Sequence, residues 1–519
     1  MKTRWILPLL ALPLLGCPTA PVDDDDATEP DGPTWEALPA DLQSTFATEA
    51  DLLGATGAAV AIWHDGTLYA GTVGTTSPDG DLAVAPTTLF RIGSTTKVMT
   101  SVAMLAAADR GQLAMTDRVV DHIAGLDIAG DGFADVQLHH LLSQTSGISE
   151  ITPLNGSSND DLLQSFTTSS VGFAGQTYMM APAGSFWNYS NPNFALAGAV
   201  TEIADGRIYR DLMREDVFRP LAMDRTFFLG EDVADDGDFA ESETWDWDDP
   251  ASGERRLASA ESYDHAWSRP AGFAWSNVLD MVQFGRFLID GDTDVISASS
   301  HAQLVADQVD TLAYLDYLAY GYGVMNWREN AAAGDWYTVS TTEHGGAIPG
   351  YAAEFITVPA ADLVMVTLAA GDGAYFDELK AAVFEQLLGA DPTAVPDPQV
   401  DTDLTRFVGT YEDPFNIGTA IVSVDGDGDL QWELPLLDDN DIPYEPELVA
   451  SSKSTFAANI QGNWTNLSFV GSDGTNEGEA RWIRHRAFVA DRFGVVTRQA
   501  PSRDRLQATL ARMAAPQLE

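Results

Sequence analysis

The chain has 519 residues, 78 of them acidic and 27 basic, which gives a formal charge of -51. A surface that acidic repels phosphate backbones and excludes nucleic acid as a partner. The length exceeds one ordinary domain, and a hydrophobic fraction of 45% with 13 Trp and 23 Phe excludes a disordered chain.

The first segment reads as a targeting signal. Lys2 and Arg4 precede "WILPLLALPLLG", an apolar run too short to span a bilayer. It ends in "LLGC", which resembles the bacterial lipobox, so Cys17, the only cysteine, is expected to carry lipid. The expectation is a bacterial cell-envelope lipoprotein, facing the periplasm or on the cell surface, on the outer rather than the inner membrane. Its only membrane contact would be the lipid anchor. Residues 18–40, rich in Pro and Asp, read as a solvated tether after a signal over 1–17.

Two β-like runs around Asp65-Gly66, within residues 58–74, predict a tight hairpin, because both central residues need positive φ. Residues 97–109 predict a helix stopped by Gly111. The stretch from 110 to 280 mixes helical patches with Gly- and Asp-rich loops. An amphipathic helix follows over 280–291, a second hairpin over 351–370 and another helix over 376–390. Strands, a helical middle, strands and a last helix together predict a mixed α/β domain with a mostly helical insertion.

Residues 393–403 read as a Pro/Asp linker. Beyond it, over 404–500, hairpin patterns such as "TAIVSVDGDGDLQWEL" predict a small barrel or sandwich, and 501–519 a short helix and tail. "DGDGDL" at 425–430 resembles the start of a calcium loop. Leu430 and Leu436, however, stand where the glycine and the closing glutamate belong, so a hairpin turn is the better reading. None of the eight histidines has zinc spacing, and the adjacent His139 and His140 are expected to point apart on a helix. No metal and no cofactor is expected.

Lysine is rare here: only Lys2, Lys97, Lys380 and Lys453 occur. Lys97 lies three residues after Ser94, so on a helix the two share a face. A serine hydroxyl needs a base to become a nucleophile. A lysine serves as that base only when burial or nearby positive charge lowers its pKa. Ser-x-x-Lys alone is also compatible with an N-cap serine and a snorkelling lysine.

The surroundings decide between these. "LFRIGSTTK" (89–97), "LHHLLSQTSGI" (138–148), "PAGSFWNYSN" (182–191) and "EHGGAIPGY" (343–351) occur in that order. Together they resemble the serine β-lactamase and penicillin-recognising superfamily. The nearest branch holds class C β-lactamases, D-alanyl-D-alanine carboxypeptidases, D-aminopeptidases and β-lactamase-like esterases. The likeness covers residues 41–392. It implies an α/β (α+β) fold, an antiparallel sheet flanked by helices with a mostly helical subdomain. "LTRFVGTYED" (404–413) adds a resemblance to the lipocalin-like β-barrel found at the C-terminus of some relatives.

The resemblance implies Ser94 as the acylated nucleophile and Lys97 with Tyr189 as one coupled base. Asn191 is implied to hold Lys97 and the substrate amide. The strand residues His344, Gly345, Gly346 and Ala347 are implied to line the substrate, with the amides of Ser94 and Ala347 forming the oxyanion hole. Gln144 replaces a frequent histidine in a structural segment. His344 replaces the strand lysine of β-lactamases, so a smaller and pH-dependent charge is expected there. The substrates implied are small esters or D-amino-acid amides and peptides, with neutral esters favoured over carboxylate-bearing lactams. A catalytically silent relative that binds peptidoglycan or a protein partner is the alternative.

Overall fold

The structure, a computed structural model, describes residues 34–154, 163, 167, 173–246, 253–312, 317–493 and 502–514. The apolar leader and Cys17 lie outside the described residues. From Trp35 onward the chain forms one compact unit. Strand β1 (Glu36–Ala37) pairs parallel with Tyr69–Ala70. The expected tether therefore ends before residue 40, because Leu38 is buried and enters the same core as Leu42 and Phe46.

Strands β2 (Gly57–His64) and β3 (Thr67–Gly74) are joined by Asp65 and Gly66 at φ 49° and 80°, the left-handed pair that a two-residue turn needs. Strands β4 (Val309–Asp310), β5 (Leu318–Tyr320), β6 (Met325–Trp327), β7 (Thr341–Ile348), β8 (Tyr351–Val358) and β9 (Leu363–Ala370) complete a nine-stranded sheet. Its order is β1-β3-β2-β9-β8-β7-β6-β5-β4, and all pairings but the first are antiparallel.

Alternate residues of the central strands point to opposite faces, and both faces are apolar. On one face Ala58, Val60, Ile62 and Met365 meet helices α1 (Ala40–Leu53) and α5 (Asp377–Gln386), with Phe46 and Phe376 rings 4.9 Å apart. On the other, Ala59, Ala61, Val364 and Val366 meet α2 (Thr96–Asp109), α3 (Asn191–Asp205) and α4 (Val278–Asp290). Helix α2 is buried almost all round, which suits its run of Ala, Val and Met. Gly111, at φ 72°, lies just beyond its end.

The C-terminal strands are β10 (Gly409–Asp413), β11 (Gly418–Val424), β12 (Leu430–Glu433), β13 (Val449–Ala450), β14 (Thr455–Ile460), β15 (Asn463–Gly471), β16 (Ala480–His485) and β17 (Phe488–Asp491). They form an antiparallel, nearly closed barrel in the order β12-β11-β10-β17-β16-β15-β14-β13. Its own core holds Phe407, Trp432, Phe456 and Phe469, and Leu506, Leu510 and Met513 of α6 (Arg503–Ala514) pack on it. Asp425 accepts the backbone N–H groups of Asp427, Gly428 and Asp429, so "DGDGDL" folds as a hairpin turn.

The barrel is packed onto the first domain. Val470, Trp482 and Val489 meet Ala181, Phe186 and Leu312 in a shared apolar cluster. Buried Arg484 donates to the carbonyls of Trp187 at 2.8 Å and Thr311 at 2.6 Å. Among the described residues no helix is long and apolar enough to cross a membrane.

Candidate active site

Ser94 lies in the tight turn Gly93–Thr95 that runs straight into α2. Gly93 sits at φ 51°, and a Cβ there would stand 2.6 Å from the amide nitrogen of Ala347. Only glycine lets the turn press this closely on β7. The hydroxyls of Thr95 and Thr96 bond back to the carbonyls of Ile92 and Gly93 and fix the turn.

One helical turn on, Lys97 is fully buried. Its Nζ lies 2.8 Å from Ser94 Oγ and donates to the Ala271 carbonyl at 2.5 Å. Burial holds this amine well below the ordinary lysine value; the Glu150 carboxylate opposes that and Arg486 adds to it. A lysine shifted in this direction gives up its proton more readily, which suits a base for the Ser94 proton.

Tyr189 approaches from the segment ahead of α3, with its ring centroid 4.9 Å from Lys97 Nζ. That segment hangs on Gln144, a fully buried residue at φ 59°. Gln144 Oε1 accepts from Ser190 N–H at 2.9 Å and Asn193 Nδ2 at 2.6 Å, while its carbonyl accepts from Asn188 N–H at 2.8 Å. An amide suits this place because it offers acceptors without charge.

Strand β7 closes the other side. β6 pairs only with Thr341–Glu343, so the rest of the β7 edge faces the Ser94 turn. A Cβ on Gly346 would lie 3.1 Å from Ser94 N. The amides of Ser94 and Ala347 therefore come together at one edge of the cleft.

The structure brings Ser94, Lys97, Tyr189, His344 and the Gly345–Ala347 edge together around one cleft, while two other expectations do not match it. Asn191 does not hold Lys97. Its side chain donates to Glu150 Oε1 at 2.9 Å and Thr152 Oγ1 at 2.7 Å, and its N–H to Glu150 Oε2 at 2.6 Å. A carboxylate at the mouth of α3 takes up that amide. His344 does not present a pH-dependent charge. It is only 1% exposed. Burial, helped by Lys97 and opposed by a hydrogen bond to the Gly345 carbonyl, pushes its pKa down to about 3. The ring stays neutral, with Nδ1 donating to Gly345 O at 2.5 Å and Nε2 lying 3.4 Å from the Tyr320 hydroxyl.

The sequence reading also missed two residues of the site and misplaced a pair. Glu150 and Arg486 flank the Lys97–Tyr189 pair, and Arg486 Cζ lies 4.6 Å from the Tyr189 ring centroid. A signal for the second existed: "ARWIRHRAF" packs Arg481, Arg484 and Arg486 together in a chain that is otherwise poor in basic residues. The His139 and His140 rings do not point apart. They lie 4.0 Å from each other, because Gln137 binds both, His139 through its side chain and His140 through its backbone.

The Beta-lactamase family model matches residues 43–389, and the chain belongs to that family, whose members are serine hydrolases. It is 27% identical over 384 residues to penicillin-binding protein 4 of Amycolatopsis lactamdurans, covering 69% of this chain and 93% of that one. Protein flp of Staphylococcus aureus strain COL is 21% identical over 351 residues, 66% of this chain and 64% of its own. Among solved structures, SurE is similar with a TM-score of 0.63 at 20% identity, covering 87% of this chain and 98% of SurE. A D-stereospecific amidohydrolase from Streptomyces sp. is similar over 67% of this chain and 99% of its own, with a TM-score of 0.51 at 21% identity. These two share the fold.

Proposed function

We propose that this protein is a serine acyl hydrolase working through an acyl-enzyme on Ser94. The observation that carries the reading is the 2.8 Å approach of a fully buried Lys97 Nζ to Ser94 Oγ. Ser94 Oγ attacks the acyl carbon while Lys97, coupled to Tyr189, takes its proton. The negative charge that develops on the acyl oxygen meets the amides of Ser94 and Ala347. As the bond to the leaving atom breaks, the proton passes to that nitrogen or oxygen. Water then attacks the acyl-enzyme, gives a proton to the same base and releases the acid, and Ser94 is reprotonated. Neutral His344 shapes the wall beside Tyr189 and carries no charge to the substrate.

The substrates are small esters, amides or peptides; D-configured amides are included because a D-stereospecific amidohydrolase shares the fold. Intact-mass analysis after treatment with a fluorophosphonate and with penicillin tests the proposal. Labelling is expected on Ser94 and absent in Ser94→Ala. A Ser94→Ala protein that still hydrolyses esters at the wild-type rate overturns it. We also propose that Cys17 carries the lipid of an envelope lipoprotein, so Cys17→Ala protein leaves the membrane fraction. Wild-type protein found wholly soluble contradicts this.

A further inference from the structure

The Ala347 N–H, one of the two amides at the edge of the cleft, belongs to the same peptide unit as the carbonyl of Gly346. A group that binds this carbonyl therefore acts on the amide. The Tyr375 hydroxyl does so, donating to Gly346 O at 3.2 Å. Tyr375 belongs neither to β7 nor to the Ser94 turn. It lies in the loop between β9 and α5, outside every motif that surrounds Ser94 in the sequence.

The loop is tied down on both sides of this tyrosine. Ahead of it, the Asp372 carboxylate accepts from the backbone N–H of Gly350, just past the end of β7, at 2.6 Å, and from Thr244 Oγ1 at 3.0 Å. After it, Phe376 is buried with its ring 4.9 Å from that of Phe46. The Tyr375 N–H closes a short turn on Gly373 O at 3.0 Å. Its ring passes over Gly345, where the missing side chain leaves it room. A side chain longer than that of alanine would take this space. Burial, with Glu354 and Tyr189 adding to it, holds the phenol above its ordinary value, so at neutral pH the hydroxyl keeps its proton and stays a donor.

Donation to a peptide carbonyl draws electron density away from the peptide nitrogen and makes its N–H a stronger donor, as happens along chains of hydrogen bonds. It also fixes the plane of the peptide, so the amide is aimed before charge develops on the acyl oxygen. The benefit is unequal along the reaction. A hydrogen bond to an oxyanion is about twice as strong as one to a neutral carbonyl. A stronger donor thus favours the tetrahedral states over bound substrate and raises kcat rather than lowering KM.

We infer that Tyr375 is a positioning residue of the oxyanion hole: by donating to Gly346 O it orients and polarises the Ala347 amide. The inference rests on the acyl-hydrolase reading above. Tyr375 touches no reacting atom and keeps its proton throughout. Acylation and deacylation both pass through an oxyanion, so both gain from it.

The test compares Tyr375→Phe, which loses only the hydroxyl, with Tyr375→Leu, which loses the ring as well, each on the full chain. With p-nitrophenyl acetate, Tyr375→Phe should lower kcat/KM about three- to tenfold, a fraction of the roughly 10²–10³ that a lost oxyanion donor costs. Both steps slow together, so the loss should fall on kcat and leave KM within about twofold. Phenylboronic acid reads the same effect without turnover, because its boron takes up Ser94 Oγ and becomes tetrahedral. Its affinity should fall in Tyr375→Phe by about the factor lost from kcat/KM, while the melting curve stays where it was. A Tyr375→Phe protein with wild-type kcat/KM and boronate affinity overturns the inference, and a loss confined to Tyr375→Leu shows that the ring only packs. A loss in Tyr375→Phe that lies in KM, with boronate affinity unchanged, overturns it as well. The fluorophosphonate separates the two readings. If it fails to label Ser94 in the wild type, the hydrolase reading itself falls. If it labels wild type and Tyr375→Phe at equal rates, only the role of Tyr375 falls.

Discussion

A Cβ placed on Gly346 would stand 2.1 Å from the carbonyl oxygen of Ile92. Backbone meets backbone there, so neither side can give way without opening the gap between β7 and the Ser94 turn. Gly346→Ala should therefore separate the amides of Ser94 and Ala347, at a cost of about 10²–10³ in kcat/KM and about 1–3 kcal/mol in stability. Its neighbour has room: a Cβ on Gly345 meets only the Tyr375 side chain, with Cε1 at 3.7 Å and the hydroxyl at 4.0 Å. Gly345→Ala should change stability by no more than about 0.5 kcal/mol and lower activity less. Ester kinetics and melting curves on both variants check this, and equal losses in the two would contradict it.

Lys97 should be a residue the protein keeps at the expense of stability. Its folded pKa lies well below its ordinary 10.5, mainly through burial. Between those two values the unfolded chain holds a proton that the folded chain lacks, so stability rises with pH across that window. Lys97→Met fills similar space without the penalty. At pH 7 it should abolish Ser94 labelling while raising stability by roughly 0.5–2 kcal/mol, less whatever is lost at the Ala271 carbonyl. The slope of stability against pH between 7 and 10 should flatten. Denaturant titrations at both ends measure it; a Met variant that is weaker at each pH with an unchanged slope refutes the argument.

The acid limb of kcat/KM should belong to the Lys97–Tyr189 pair and not to histidine. His344, lowered to about 3, is already neutral where a histidine of ordinary pKa 6.5 would titrate. His344→Gln should thus change the height of the profile more than its position. Glu150 is the carboxylate that favours protonated Lys97. Glu150→Gln removes that charge, so the limb should move to lower pH. Profiles for the three proteins at fixed salt decide the matter, and a limb that stays put in Glu150→Gln removes Glu150 from the account.

Local chemistry carried the readable part of this fold. Asp65-Gly66 names its own turn, and Ser94 and Lys97 need only three residues of helix to face each other. What the sequence could not reveal depends on partners far along the chain. Asn191 was read through its neighbours in "NYSN", yet its partners come from Glu150 and Thr152, about forty residues upstream. Arg486 lies about 300 residues from Tyr189, and no periodicity reports which surface a barrel hairpin will touch. The neutrality of His344 is hidden from the sequence for the same reason. Its pKa follows from burial against Tyr189 and Tyr320, which strand patterning does not show.

Arg484 ties the barrel to the site, and its removal should show this. It is 5% exposed, donates to the carbonyls of Trp187 and Thr311, and bonds Ser468 Oγ at 2.8 Å. Its guanidinium carbon also lies 5.4 Å from the Trp187 ring centroid. Arg484→Met keeps much of the apolar stem but leaves two buried carbonyls without this donor, at about 1–3 kcal/mol each. The cost falls on the contact between the barrel and the segment that carries Tyr189. The expected outcome is a lower melting temperature together with a loss of ester turnover, since Tyr189 and Arg486 both move with that contact. A control, Arg481→Met, removes a charge on the same strand, but Arg481 pairs with Asp491 of the barrel itself. It should leave turnover within about twofold of wild type, because this half-buried pair lies within the barrel and touches neither Trp187 nor Tyr189. Melting curves and kcat/KM on both variants test the idea. If Arg484→Met loses stability but keeps full turnover, the barrel is a support for the fold and not a part of the active site.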